Sequence, residues 1–225
     1  MKRFLVVLVL TAALISCKNT SENKKDANDS AVSETVEKNA VEQVEANYIA
    51  IDSDEALVAA SLMAAPAASR DGCKVIGYNM AGEFVTFREG ENEFIVLTDN
   101  PKQSGFNAAC YHKSLEPFMA RGRELRADGK TGPEIFDIRE EEAKSGKLDM
   151  GKPGATLHIY YGESDRYDPE TNEVEGAHYR YVVYLPFATA ESTGLPENPI
   201  GPNHPWIMNP GTHRAHIMIS PLRKE

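Results

Sequence analysis

The residue types able to do chemistry crowd toward the C-terminus. Five of the six histidines follow Leu157, namely His158, His178, His204, His213 and His216, and three of those lie in the closing stretch GPNHPWIMNPGTHRAHIMIS. Neutral imidazoles are good ligands for Zn, Cu or Fe, and three protein ligands with one open position describe a catalytic metal centre. His204, His213 and His216 are therefore candidate ligands for a divalent metal, and a metal-dependent hydrolase is the reaction class they would serve. The spacing supports this only weakly. His213 and His216 would share a face on a helix, but the segment reads as a strand, where positions three apart point opposite ways. The HEXXH motif, which would set a carboxylate base beside two ligands, is absent from the sequence. With the single tryptophan the same residues suggest a second use, a small-ligand pocket of His204, Trp206, His213 and His216 with apolar walls and a few convergent polar groups. The plainest reading is hydrogen-bonded histidines steadying a proline-rich wall.

Other chemical-looking stretches fail on their details. Cys110 precedes His112 by two residues, but a thiolate nucleophile needs a base placed in space, which adjacency does not supply. Asp128-Gly129-Lys130-Thr131 looks like the end of a phosphate loop, yet Glu124 stands where that pattern needs its first glycine. Asp168, Glu170 and Asn172 fall on the first, third and fifth positions of an EF-hand loop, but Glu173 replaces the essential glycine and Tyr179 the closing carboxylate. A solvated hairpin loop is the simpler reading there. Tyrosine clusters more convincingly, with six of the nine between Tyr160 and Tyr184. On a strand, Tyr179, Tyr181 and Val183 share one face and Tyr184 lies on the other. Exposed, such a face stacks on sugars or peptides; buried, it is core whose hydroxyls find partners. No residue is assigned a catalytic role, and no cofactor is required beyond the candidate metal.

These residues must be held by elements that the pattern of the chain defines. IDSDEALVAASLMAAPAAS reads as a helix, with Asp52 and Glu55 at capping-box spacing and Pro66 at its weak end. Lys74–Tyr78, Glu83–Arg88 and Glu93–Thr98 read as three strands, joined by turns at Ala81-Gly82 and at Glu89 to Asn92. Two helices follow, one from a Ser114 cap to near Gly129, the other from Pro133 to Gly146. Ala155–Tyr161 and Tyr179–Phe187 suit a hairpin around the polar loop GESDRYDPETNEVEGAH. LPENPIGPNHPWIMNPG suits polyproline II or an irregular wall rather than a ladder strand. Arg214–Ser220 is the last strand, with Ala215, Ile217 and Ile219 expected toward the core and His216, Met218 and Ser220 away from it. Strands on both sides of a helical pair predict an α+β domain, an antiparallel sheet with about three helices, preceded by a disordered tether.

The N-terminus indicates where that domain works. Lys2 and Arg3 precede the apolar run Phe4–Ile15, which is too short to span a bilayer and suits a signal segment. Leu14-Ile15-Ser16-Cys17 resembles the lipobox of bacterial lipoprotein signal peptides. That resemblance implies acylation of Cys17 and cleavage just before it, and Lys18 resembles the signal for outer-membrane sorting. Two or more acyl chains make a stable anchor. The expected organisation is residues 1–16 as signal peptide, 17–47 as lipidated cysteine and tether, and 48–225 as one globular domain. The tether, rich in Lys, Glu, Asp, Asn and Ser, cannot bury enough apolar surface to offset its ordering entropy. With 24 Lys and Arg against 34 Asp and Glu the chain carries a formal charge of −10, which argues against a nucleic-acid partner. Setting Cys17 aside leaves Cys73 and Cys110, and an even pair in an oxidising compartment favours a Cys73–Cys110 disulfide, contributing up to about 4 kcal/mol, over the alternative of two inert free thiols.

AAPAASRDGCKVI, FREGENEF, NAACYHK and MNPGTHRAHIMIS together resemble a family of small exported bacterial proteins of uncharacterised function. The shared features are an Ala-Ala-Pro element after an opening helix, an Arg-Glu-Gly-x-Asn turn and a Gly-Thr-x-x-Ala-His-x-Met ending. The resemblance implies no activity. It places His216 in the closing motif, and it places a cysteine where this chain has Val96, so that Cys73 would stand in as the partner of Cys110. The expectation is thus a lipid-anchored module of the cell envelope, on the periplasmic or surface face of the outer membrane. It would be binding or structural in role, with an envelope glycan, peptide or small molecule as its ligand.

Overall fold

Ser53, not Asp52, starts the first helix, α1 (Asp54–Leu62). Its Oγ accepts from the Ala56 N–H at 3.1 Å, and Asp54 and Glu55 place negative charge in the first turn. Asp54 Oδ1 also accepts from the Met80 N–H at 2.7 Å, tying the helix start to a distant turn. The computed structural model describes residues 47–221. The signal segment, Cys17 and the tether through residue 46 lie outside the described residues.

Eight strands build the main sheet. In spatial order they are β3 (Phe84–Arg88), β2 (Lys74–Tyr78), β4 (Phe94–Leu97), β5 (Phe106–His112), β6 (Thr156–Gly162), β8 (His178–Tyr184), β10 (His216–Ile219) and β9 (Trp206–Met208). All neighbours are antiparallel except β2 and β4, which run parallel with Val75 opposite Val96. A separate two-stranded antiparallel sheet pairs β1 (Ile49–Ala50) with β7 (Arg166–Tyr167). The fold is α+β and mostly antiparallel, as the pattern of the chain predicts.

The sheet is buried on both faces. On one, Leu57 and Ala60 of α1 pack on Val75, Val96, Ala108, Cys110 and Tyr160. On the other, Leu115 and Phe118 pack on Ile76, Ile95, Tyr111, Leu157 and Tyr184. Phe118 belongs to α2 (Glu116–Ala127), which leads into α3 (Gly132–Lys144). Fully burying a side chain of this size contributes about 1.5–3 kcal/mol. The α2–α3 connection is where Asp128-Gly-Lys-Thr131 sits. Thr131 caps α3 in a reciprocal box with Glu134, so this segment is a helix junction rather than a phosphate loop. Among the described residues no helix is long and apolar enough to cross a membrane.

Several expectations change. β5 is a central strand that the pattern of small residues in FNAACYH did not signal. β4 does not continue a meander from β3; it crosses back to the far side of β2. That parallel contact is close, because a Cβ on Gly77 would lie 2.1 Å from Thr98 Oγ1, and Gly77 has φ +141°. Ser114 does not cap α2; its Oγ meets His112 Nδ1 at 2.9 Å. Part of the proline-rich wall does form a ladder strand, β9, on β10. The facing of β10 is also reversed. His216 and Met218 are buried on the helix-covered face with Tyr184, whereas Ile217 and Ile219 are only half-buried.

Candidate functional site

The predicted histidine centre does not assemble. His213 is fully buried between Phe118 and Phe136, with ring centroids 5.9 and 4.8 Å away. Its Nδ1–H donates to Glu140 Oε2 at 2.6 Å, and its backbone N–H donates to the same oxygen at 2.8 Å. Burial pushes the Glu140 carboxyl up, but the Lys144 ammonium and the two His213 donors outweigh it and hold Glu140 at about 2. Burial keeps the His213 ring below its ordinary pKa against the pull of Glu140, so the ring is neutral near pH 7. His216 donates from Nδ1 to the Arg214 carbonyl at 2.6 Å and is likewise lowered by burial. His204 is elsewhere, with Trp206 in a depression of about 390 Å³ that also includes Arg180 and Met218. Among the described residues no three His, Cys, Asp or Glu side chains converge to hold a metal ion. The four-residue pocket expected from the sequence is thus split: His204 and Trp206 share a hollow, and His213 and His216 are core.

The expected Cys73–Cys110 disulfide is not formed; both are free, buried thiols. Topology explains why. Cys110 on β5 pairs with Val96 on β4, and Cys73 enters β2 on the far side of β4. Two strand spacings are about 9.6 Å, beyond the roughly 4.4–6.8 Å Cα separation that a disulfide spans. The thiols still lean together, and Cys73 donates to the Ser69 carbonyl at 3.1 Å. Burial pushes both thiols up, Cys110 far more than Cys73, which leaves neither as a ready thiolate. Val96, where the family resemblance places a cysteine, is the direct cross-strand partner of Cys110.

The tyrosine face is present, with Tyr160, Tyr179 and Tyr181 stacked at centroid distances of 4.7 and 6.0 Å. It borders a groove of about 420 Å³ beside Ala64, Ala65 and Pro66. Three polar side chains of this groove are already committed to the chain itself. The Tyr179 hydroxyl donates to the Met63 carbonyl at 3.2 Å, the His158 ring to the Ala64 carbonyl, and Arg70 Nε to the Ala65 carbonyl at 3.2 Å. Three successive carbonyls just beyond α1 are thereby satisfied by side chains, which is a structural clamp.

A cleft of about 370 Å³ on the α2 side of the sheet is different, because two of its charged groups, Asp99 and Arg126, have no ion-pair partner among the described residues. Its floor is Asp99, only 7 % exposed, at the exit of β4. Asp99 Oδ1 accepts from the Asn107 N–H at 3.0 Å, and the Asn100 N–H assists. Burial raises the Asp99 pKa above the ordinary carboxylate value despite those two amides, and the neighbouring Asp165 charge adds to the rise. No Lys or Arg forms an ion pair with Asp99 among the described residues. The wall comes from α2. Arg123 is fixed by Glu116 at 2.5 Å and by the Tyr111 hydroxyl at 3.3 Å, and its guanidinium lies 5.4 Å from the Phe84 ring centroid. Arg126, one turn on, is exposed, and its guanidinium has no partner among the described residues. Tyr78 and Phe84 meet edge to face at 5.4 Å and form an aromatic rim, with Phe84 46 % exposed. The cleft therefore combines a desolvated carboxylate, two guanidinium groups and an apolar rim, the composition of a small-ligand site.

Nothing in the sequence marked this constellation. Asp99 follows a strand in a turn-like Thr-Asp-Asn-Pro context, and Arg123 and Arg126 read as solvated positions on a helix. They meet only because β4 inserts between β2 and β5 and brings its exit beneath α2. No family model, no curated protein and no solved structure matches this chain.

Proposed function

We propose that this chain is a ligand-binding module of the bacterial cell envelope, lipid-anchored through Cys17 in the outer membrane, and that it binds a small polar ligand in the Asp99 cleft. One observation carries the binding reading: Asp99 is a buried carboxylate with no ion-pair partner among the described residues, at the floor of a cleft where the Arg126 guanidinium is also unpaired. Leaving a charge in that state is unfavourable unless something else compensates it, and sites that do so are disproportionately functional. The anchor reading is supported by the n-region, the short apolar run and the Ser16-Cys17 junction in the sequence.

The test is a thermal-shift screen of the purified chain against amines, amino acids, short peptides, and neutral and acidic sugars, with Asp99→Asn in parallel. A native-state binder raises the melting temperature by mass action. The expected result is a class of probe that stabilises the parent chain and not the variant. A screen in which every stabilising probe acts equally on Asp99→Asn would place the ligand elsewhere.

A further inference from the structure

The charges around the cleft restrict what can enter it. A simple anion would suit Arg126 but would be pressed against a desolvated carboxylate. A simple cation would suit Asp99 but would leave the unpaired Arg126 guanidinium beside it without a counter-charge. A metal ion would find a single carboxylate with amide and guanidinium neighbours, and no three-ligand cluster is present among the described residues. A neutral sugar would leave the buried Asp99 charge uncompensated. The combination is satisfied by one molecule carrying both signs.

We infer that the Asp99 cleft takes a small zwitterion with an α-ammonium and a carboxylate, a free amino acid or dipeptide with an apolar side chain. The ammonium lies on Asp99, the carboxylate meets the unpaired Arg126 guanidinium, and the side chain rests against Tyr78 and Phe84. Size agrees with this assignment. At about 370 Å³ the cleft is near the lower end of small-ligand sites, which run from roughly 300 to 1,000 Å³, so it suits one or two residues rather than a long peptide. Arg123 plays a different part. It is already paired with Glu116 and stacked by Phe84, so it holds the rim in place instead of taking the ligand's charge. This assignment rests on the reading of the cleft as the binding site and adds the ligand's chemistry to it.

The experiment is calorimetric titration of the full chain with four probes: L-leucine, glycyl-L-leucine, 3-methylbutylamine and 4-methylpentanoate. The last two are leucine without its carboxylate and without its ammonium. At least one zwitterion is expected to bind, and each single-charge analogue to bind more weakly by about tenfold or more. Asp99→Asn should weaken the zwitterion and leave 4-methylpentanoate unaffected or improved. Arg126→Gln, at an exposed position that the fold does not need, should weaken the zwitterion and leave 3-methylbutylamine unaffected or improved. If a single-charge probe binds as well as the zwitterion and still depends on Asp99, the cleft is a binding site but its ligand is not a zwitterion. If neither zwitterion binds, or one binds equally well to both variants, the inference is overturned. Melting curves of both variants confirm that each is folded.

Discussion

At the scale of single residues, the histidines change role between sequence and structure. His213 and His216 carry the signature of ligands in the sequence, where imidazoles cluster, but each spends its Nδ1–H inside the protein and sits among aromatic rings. His216→Ala and His213→Ala should therefore each lower stability, by about 2–5 kcal/mol in urea unfolding, as for other large buried side chains emptied to alanine. An unchanged midpoint for His216→Ala would return that residue to the candidate-ligand class. A pH dependence follows as well. Burial lowers the pKa of His158, His213 and His216 in the folded chain. The unfolded chain then binds more protons in the window between those lowered values and the ordinary value of about 6.5, so stability rises with pH through that window and is lost as pH falls below about 6.5. Glu140, held at about 2, contributes a second loss as pH falls from the ordinary glutamate value toward 2. Urea midpoints measured from pH 8 to pH 4 should decline below about 6.5; a flat profile to pH 5 would contradict the neutral buried histidines. Asp99 lies at the opposite extreme of legibility. One aspartate after a strand looks like any turn residue, and only the fold makes it a buried, unpaired charge.

At the scale of elements, what was legible depended on local signals. β2, β3, β4, β6 and β8 announce themselves by β-branched and aromatic alternation, and α3 by Pro133 in its first turn and Gly146 beyond its end, whereas its Thr131–Glu134 box emerged only in the structure. Thr131→Ala should cost about 0.5–2 kcal/mol of stability through loss of that cap. β5 was illegible because Ala108 and Ala109 give no β-propensity signal; its strand state comes from pairing on both sides. The facing of β10 was misread for a related reason. The rule that aliphatic residues mark the core face assumes one wet face, and this sheet has a core on each face, so His216 and Met218 are buried while Ile217 and Ile219 are only half-buried. The parallel crossing of β2 and β4 was invisible because it depends on one atom's absence at Gly77. Gly77→Ala should destabilise the fold by about 1–3 kcal/mol from backbone strain alone, plus the contact with Thr98. A neutral Gly77→Ala in thermal or urea unfolding would mean that β4 can pair at a greater distance than described.

At the scale of the whole molecule, the sequence predicts a short address segment, a polar tether and one α+β domain. The domain's class is as expected, while the address rests on the first residues of the chain. Cys17→Ser should move the protein from the detergent-extracted membrane fraction to the soluble fraction; continued membrane partitioning would remove the lipid anchor from the proposal. Among the features within the domain, the carbonyl clamp beyond α1 has a consequence for assembly order. Its Tyr179 bond joins positions 116 residues apart in the chain, and its His158 bond reaches back from β6 to the Ala64 carbonyl. Contacts this remote carry a large loop-closure entropy, so they form after the local hairpins. The Met63 and Ala64 carbonyls at the end of α1 therefore stay unsealed until β6 and β8 have paired, so the Ala-Ala-Pro segment is among the last parts of the domain to be closed.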